Sequence, residues 1–423
     1  MSSPLVNVLI IDAQRDFTDE PVEGGLLNGA LGRLPVIGAK DDMPRIANFL
    51  TMYREKINKV YASMDTHTVC HIGHRFWKGL DGSIAPGGTV FEVHGDKIMS
   101  VAYPGGPTVM EYHVNVVPEH QAAMDAYAKA YIQAVGQRGK AGRNAVNTWN
   151  VHCIEGTAGW QIQPTVMGTL ESMPGQVEYF IKGQNQLAEM YSIFAAEVPY
   201  EDLIVTMPAD QQNIVKQYVY NPDLRDETTL TGPIPARSLT GVMENYTDHS
   251  VYPVPGDEQR NLNTTFNMDL FNRITANGAT IIVCGEALSH CVQFSARDLI
   301  GKIAEMRLPN KVILLEGGSS AVDLGPGPLT DMFKASAAKF VEDMKNGLIE
   351  QGSITDVLSL DSSSRLREYT RLRSSANTKN KESAMKRLNL GKMLGYTNIH
   401  AGGRRRKTRK SKKANRRRSR KHR

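Results

Sequence analysis

Five short apolar runs, each closed by a polar or glycine residue, decide what this chain can fold into. Residues 6–11 run into Asp12, 59–64 into Asp65, 177–181 into Lys182, 280–283 into Gly285, and 311–315 into Glu316. Near-continuous apolar runs of this kind suit strands buried on both faces. Segments with helical patterning intervene at about 41–56, 186–196, 265–277, 291–305 and 328–348. The alternation predicts an α/β fold, a three-layer α/β/α sandwich around a mostly parallel, doubly wound sheet. Ligands bind such sheets beyond the carboxyl ends of their strands. Asp12, Asp65, His67, Lys182 and Cys291 are therefore expected along one edge.

Cys291 stands out among them. It follows the strand-like run 280–283 and the Gly285 turn, and it opens a helical segment. A thiol in the first turn of a helix meets unpaired backbone N–H groups and the positive end of the helix dipole, which favour a thiolate. The same N–H groups suit an oxyanion formed on a substrate carbonyl. Alone, such a cysteine is more often a small buried apolar residue. The other polar clusters at the same edge make it a nucleophile candidate.

The segments in their order resemble the nicotinamidase branch of the isochorismatase-like cysteine hydrolases. Asp12-Ala13-Gln14-Arg15-Asp16-Phe17 resembles that family's opening D-x-Q-x-D-F, and Gly24-Gly25-Leu26-Leu27 with Gly29-Ala30 resembles the G-G-x-L and G-A that follow. Asp65-Thr66-His67 with His71 is similar to D-W-H-P-x-x-H, and Trp149-Asn150-Val151-His152-Cys153-Ile154-Glu155-Gly156-Thr157 to W-P-V-H-C-V-x-G-T. Lys182-Gly183, then Glu189-Met190-Tyr191-Ser192-Ile193-Phe194, resembles K-G through E-x-Y-S-x-F, and Gly285-Glu286-Ala287 with Cys291 fits G-x-A-x-x-x-C. The blocks span about half of residues 1–350.

The resemblance implies a triad of Asp12, Lys182 and Cys291. Cys291 would attack an amide carbonyl, Asp12 would take and return the proton, and Lys182 would hold the carboxylate and thiolate charges together. The backbone N–H groups of Ala287 and Cys291 would receive the oxyanion, with a cis peptide before Ala287. Asp65, His67 and His152 would hold a divalent metal; two imidazoles and a carboxylate suit Zn²⁺, and Fe²⁺ or Mn²⁺ fit chemically. His71 reads as pocket structure, and Phe17 as a wall for a substrate ring. Isochorismatases proper lack the metal set and the thiol, so an amide is the implied substrate, nicotinamide first, with pyrazinamide and ureido compounds open.

Three positions depart from the pattern. Thr66 stands where the family has Trp, with Trp77 a candidate replacement; Asn150 stands for Pro; and Glu286 stands for an apolar residue. An ionised Glu286 beside the oxyanion position would oppose thiolate formation.

Residues 1–350 are expected to hold the hydrolase domain, with insertions at about 95–147 and 199–263 serving as lids or contacts between copies in a homo-oligomer; a helix is expected at 119–137. A polar linker with a short helix would cover 351–403. Residues 404–423 carry fourteen Lys or Arg and no acid; the whole chain is +6, which leaves the remainder at −8. Such a tail is expected to be disordered and to suit nucleic acid or another polyanion through phosphate charge. No apolar run is long enough for a membrane span, and no signal peptide is read at the start. Four cysteines in 423 residues make no disulfide framework, so an intracellular protein, cytoplasmic or nuclear, is expected. Two function classes follow: a metal-assisted cysteine amidohydrolase, or a nucleic-acid-associated or structural protein on an inactive hydrolase fold.

Overall fold

The computed structural model describes residues 6–20, 33–139, 145–220, 262–346 and 354–359. The Gly24–Ala30 part of the resemblance, most of the insertion expected at 199–263, the helix expected in the linker and the basic tail lie outside them.

The apolar runs form strands. β1 (Val6–Ile11), β2 (Ile57–Asp65), β7 (Val177–Lys182), β8 (Thr280–Gly285), β9 (Lys311–Glu316) and β10 (Ile354–Ser359) build one parallel sheet in the order β10-β9-β8-β1-β2-β7. Every residue of β1 and of β8 is buried, which is why neither alternates polar with apolar. α1 (Ala39–Tyr53), α3 (Pro164–Glu171), α6 (Met268–Thr275), α7 (Gln293–Glu305) and α8 (Pro328–Asn346) flank the sheet. The result is the expected α/β class. β1 continues to β2 on one side, while β8, β9 and β10 extend the other side. The strand order reverses between β1 and β8, where a crevice opens at the carboxyl edge.

A second, antiparallel sheet has the order β3-β6-β5-β4 and comprises β3 (Trp77–Gly79), β4 (Phe91–His94), β5 (Lys97–Ser100) and β6 (Glu111–Val114). α2 (Gln121–Gly139), α4 (Tyr200–Ile204) and α5 (Ala209–Lys216) pack with it around a separate apolar cluster that includes Trp77, Phe91, Tyr112, Tyr127 and Tyr131. Its strands of three or four residues mix buried and open positions, so no run announces them in the sequence.

Three expectations change. Residues 186–196 are irregular rather than helical. Their backbone is bonded elsewhere: Gln186 N–H to Val219 O, Ile193 N–H to Ser295 Oγ, Ala196 N–H to Thr264 O, and Lys182 Nζ to Met190 O. The start of the expected polar linker, 354–359, is β10, paired in parallel with β9. Trp77 replaces no cleft aromatic; it is fully buried in the second cluster, and its indole N–H donates to Ile72 O at 2.7 Å.

Candidate active site

The sheet delivers its polar residues to one edge by register. Asp65 ends β2 directly opposite Lys182, which ends β7. Asp12 follows β1, Gly285 pairs with Ile11, and Cys291 lies in the π-helical turn Leu288–Val292 that opens α7. Asp12 has a positive φ of 44°, an uncommon conformation for a residue with a Cβ. Ser63 of β2 holds it there: the Ser63 hydroxyl accepts from Asp12 N–H at 3.0 Å and donates to Asp12 Oδ1 at 2.6 Å.

Lys182 sits at the centre. Its ammonium is 3.1 Å from Asp12 Oδ2, 2.9 Å from Asp65 Oδ1 and 3.6 Å from Cys291 Sγ, and it donates to Met190 O at 2.8 Å. Lys182 is 1 % exposed and Cys291 6 %. Burial works to strip Lys182 of its proton, but Asp12 and Asp65 outweigh it and raise its pKa well above the usual lysine range. Burial lifts the Asp12 carboxyl against the pull of Lys182. Burial also drives the Cys291 thiol well above its usual range, more strongly than Lys182 draws it down. Burial, with Asp12 and Asp65 adding to it, thus works against the thiolate that the helix dipole and Lys182 favour. Asp12 Oδ2 has the ammonium beside it but no aligned hydrogen-bond donor among the described residues, and the nearby Asp12 charge also raises the Cys291 thiol.

Asp65, His67 and His152 also meet. Asp65 Oδ2 is 2.9 Å from His67 Nε2 and 3.7 Å from His152 Nε2. The other ring nitrogens are anchored on backbone carbonyls: His67 Nδ1 on Gly183 O at 3.0 Å, and His152 Nδ1 on Asn150 O at 2.7 Å. A carbonyl only accepts, so each Nδ1 carries a proton and each Nε2 faces the carboxylate; on His67, where burial lowers the pKa but Asp65 outweighs it, Nε2–H donates to Asp65 Oδ2, the position a bound metal would take. Nδ1 anchored on a carbonyl is the arrangement a metal-ligating histidine needs, and this donor set fits a divalent ion.

His74, which the sequence reading passed over, brings Nε2 to 3.1 Å from His152 Nδ1, and its ring lies 4.9 Å from that of His67. In distance, the groups among the described residues that bring their ligand atoms close enough together to hold a metal ion are His67, His74, His152 and His67, His71, Glu189; they share His67, and the first also His152, with the expected set, but not Asp65. In His71, however, Nδ1 accepts from Gly73 N–H at 3.0 Å and Nε2 donates to Ala188 O at 3.2 Å. Both nitrogens are used, which fits pocket structure.

The cleft over these groups is walled by Phe17, Trp149, Tyr191 and His290, with Cys291 and His152 in its lining. Phe17 lies 5.3 Å from the His152 ring. Trp149 and Tyr191 carry the aromatic surface that Thr66 cannot supply. They stood in the quoted blocks, but nothing in their spacing marked them as walls. Thr66 accepts instead from Trp160 Nε1 at 2.7 Å. His290 is kept neutral by burial, which lowers its pKa to about 3. The peptide between Glu286 and Ala287 is cis, and Ala287 N–H makes no hydrogen bond among the described residues.

No helix among the described residues is long and apolar enough to cross a membrane. No protein-family profile matches the chain, and no curated protein sequence does. Among solved structures, the chain aligns with the nicotinamidase of yeast bound to the inhibitor nicotinaldehyde at 13 % identity, over 79 % of this chain and 96 % of that one, with a TM-score of 0.38. It aligns with a nicotinamidase/pyrazinamidase of Acinetobacter baumanii at 14 % identity, over 84 % and 96 %, with a TM-score of 0.40. A pyrazinamidase of Pyrococcus horikoshii in complex with zinc gives 14 % identity, 84 % and 98 % coverage, and a TM-score of 0.35.

Proposed function

We propose that the chain is a metal-assisted cysteine amidohydrolase that converts nicotinamide and water to nicotinate and ammonia. One observation carries the reading: a single buried ammonium at the end of β7 lies within 3.6 Å of a carboxylate after β1, a metal-type carboxylate at the end of β2 and a thiol in the turn that opens α7. Burial of that many ionisable groups costs too much to persist without function or full pairing.

In the proposed reaction Asp12 Oδ2 accepts the Cys291 thiol proton as sulfur bonds to the amide carbon. The carbonyl electrons move onto oxygen, and the oxyanion is received by the Ala287 and Cys291 N–H groups. A lost donor of this kind costs about 3 kcal/mol of barrier. The C–N bond breaks with the proton on Asp12 passing to nitrogen, and ammonia leaves a thioester. Water then attacks the thioester carbon, Asp12 takes its proton, and collapse returns that proton to sulfur as the acid leaves. Lys182 keeps the site's charge balanced throughout. Asp65, His67 and His152 would hold Zn²⁺, or Fe²⁺ or Mn²⁺, which when bound would anchor the substrate's ring nitrogen. Phe17, Trp149 and Tyr191 would hold the ring flat.

Residues 404–423 are proposed to engage a nucleic acid or other polyanion, a role separate from the cleft. Ammonia release from nicotinamide by the full chain, with and without Cys291→Ala, tests the enzymatic reading. Turnover that survives the substitution would refute the cysteine mechanism, and no ammonia from nicotinamide, pyrazinamide or a ureido compound with Zn²⁺, Fe²⁺ or Mn²⁺ added would refute the enzymatic reading in favour of a protein built on an inactive fold.

A further inference from the structure

Glu286 sits in the loop that carries Ala287 toward Cys291, yet its side chain does not line the cleft. It is fully buried, and it points toward the first turn of α1, where Asp42 is 2 % exposed. Ser320 N–H donates to Glu286 Oε2 at 3.1 Å. Oε1 has no donor among the described residues; the carboxyl facing it is that of Asp42, which the same Ser320 holds through its hydroxyl and whose charge acts on Glu286. Two buried carboxyl groups facing each other must share a proton.

Asp42 is the better place for the charge. It accepts from Ser320 Oγ at 2.5 Å, Arg45 Nη1 lies 3.3 Å from its Oδ1, and the start of α1 favours an anion. Glu286 is then the donor, a neutral acid. The other ionisable groups around it are Asp19, from the segment after β1, and Cys284 of β8; neither is a cation.

Backbone bonds complete a latch on this loop. Gly285 N–H donates to Gly318 O at 2.9 Å, Glu286 N–H to Ile11 O at 2.8 Å, and Leu288 N–H to Ser320 O at 2.7 Å. Ser320 thus grips the loop by its N–H and its carbonyl and grips α1 by its hydroxyl. Gly38 leaves room for that hydroxyl: a Cβ there would lie 2.7 Å from Ser320 Oγ.

We propose that Glu286, as a neutral acid bonded to Asp42 and Ser320, is a positioning residue that fixes the 285–288 loop and so aims the Ala287 N–H at the oxyanion. The role rests on the hydrolase reading of the cleft. It predicts that Glu286→Leu, which keeps the bulk and removes both bonds, lowers kcat for nicotinamide about tenfold or more and leaves KM within about twofold. Glu286→Gln, whose amide can donate to Asp42 and accept from Ser320 N–H, should restore most of that rate.

Amide hydrogen exchange over 285–292 supplies a readout that needs no turnover: protection should fall in Glu286→Leu and return in Glu286→Gln. Unchanged kcat and unchanged exchange in Glu286→Leu would overturn the proposal. So would a Gln variant as impaired as the Leu variant. If the unsubstituted chain hydrolyses no amide, the exchange comparison still decides whether the latch exists, and only the hydrolase reading falls.

Discussion

Replacing Lys182 by Met tests whether this site is held together by charge compensation. Met nearly preserves the volume, so a cavity contributes little. What disappears is the ammonium that lies 3.1 Å from Asp12 and 2.9 Å from Asp65, both buried. Breaking a buried ion pair by removing one partner costs about 3–5 kcal/mol, because the surviving charge has nowhere to go. Here two carboxylates survive, which puts the loss at the upper end of that range, a large share of a total stability of about 5–15 kcal/mol. Urea denaturation in the presence of a chelator should show a midpoint lower by on the order of 1 M. Adding Asp12→Asn removes one stranded carboxylate and should recover about 1–3 kcal/mol, a coupling expected of groups in contact. A Lys182→Met midpoint within roughly 0.3 M of the parent would refute the reasoning. It would mean that water or protonation already relieves these carboxyls.

Cys291→Ala should reduce ammonia release by roughly a thousandfold or more while leaving ligand binding in the cleft measurable by calorimetry; lost binding with surviving turnover would contradict its role. His67→Ala and His152→Ala should each lower the metal retained after dialysis, and His71→Ala should not, because both of its nitrogens are engaged; elemental analysis decides between these ligand sets. The Glu286 carboxyl is raised well above its ordinary value of 4.5, by burial first and then by the nearby Asp42 charge. Its contribution to stability is therefore full below pH 4.5 and is lost as pH rises toward the folded pKa, by up to about 1.4 kcal/mol per pH unit. Denaturation midpoints of the parent and Glu286→Gln should accordingly diverge in the variant's favour with rising pH, and parallel pH curves would exclude a neutral buried acid. Removing residues 404–423 should abolish retention on duplex DNA without changing ammonia release. In the full chain log K should fall steeply and linearly with log salt; retention indifferent to salt would rule out a phosphate-charge mechanism.

The centre of the sheet was legible because β1 and β8 are buried on both faces. Residues 6–11 and 280–283 cannot hide their apolar character, and the polar residue that ends each run falls at the carboxyl edge by construction. Asp12, Asp65, Lys182 and Cys291 were found by that route, and the structure brings them together. The segment 186–196 misled because its composition suits a helix while its backbone groups bond to partners distant in sequence, Val219, Thr264 and Ser295 among them. The antiparallel sheet escaped for a related reason: its strands owe their burial to α2 and its neighbours rather than to an internal pattern. Ser63, Trp149 and Tyr191 were invisible as site residues because a lone serine or aromatic carries no spacing signal. Glu286 showed in the sequence only as a departure. That its side chain turns away from the oxyanion position, toward Asp42, is a matter of packing alone.

Two buried carboxyl groups, Asp12 and Asp65, lie beside the thiol and a third, Glu286, lies behind the loop that carries Ala287; their neighbours push the three toward different protonation states, and within the pocket the split between Asp12 and Asp65 is the pattern expected where acid and base chemistry must both run. Asp65 is held well below the usual carboxylate range: burial opposes its charge, but His67 and Lys182 together overcome burial. It is an anion suited to a cation. Asp12 has Lys182 and the Ser63 hydroxyl on its side, and burial still wins, so it is raised. A carboxylate that gains its proton easily is a better acceptor for a thiol proton, and a better donor to departing ammonia, than one pinned as a permanent anion. Glu286 faces no cation among the described residues and is raised well above its ordinary value by burial and by Asp42. The count of cations facing each carboxyl, rather than its residue type, sets its role. Removing Lys182 should therefore redistribute protons between Asp12 and Asp65 together, whereas a lysine placed near Glu286 should act on Glu286 and Asp42.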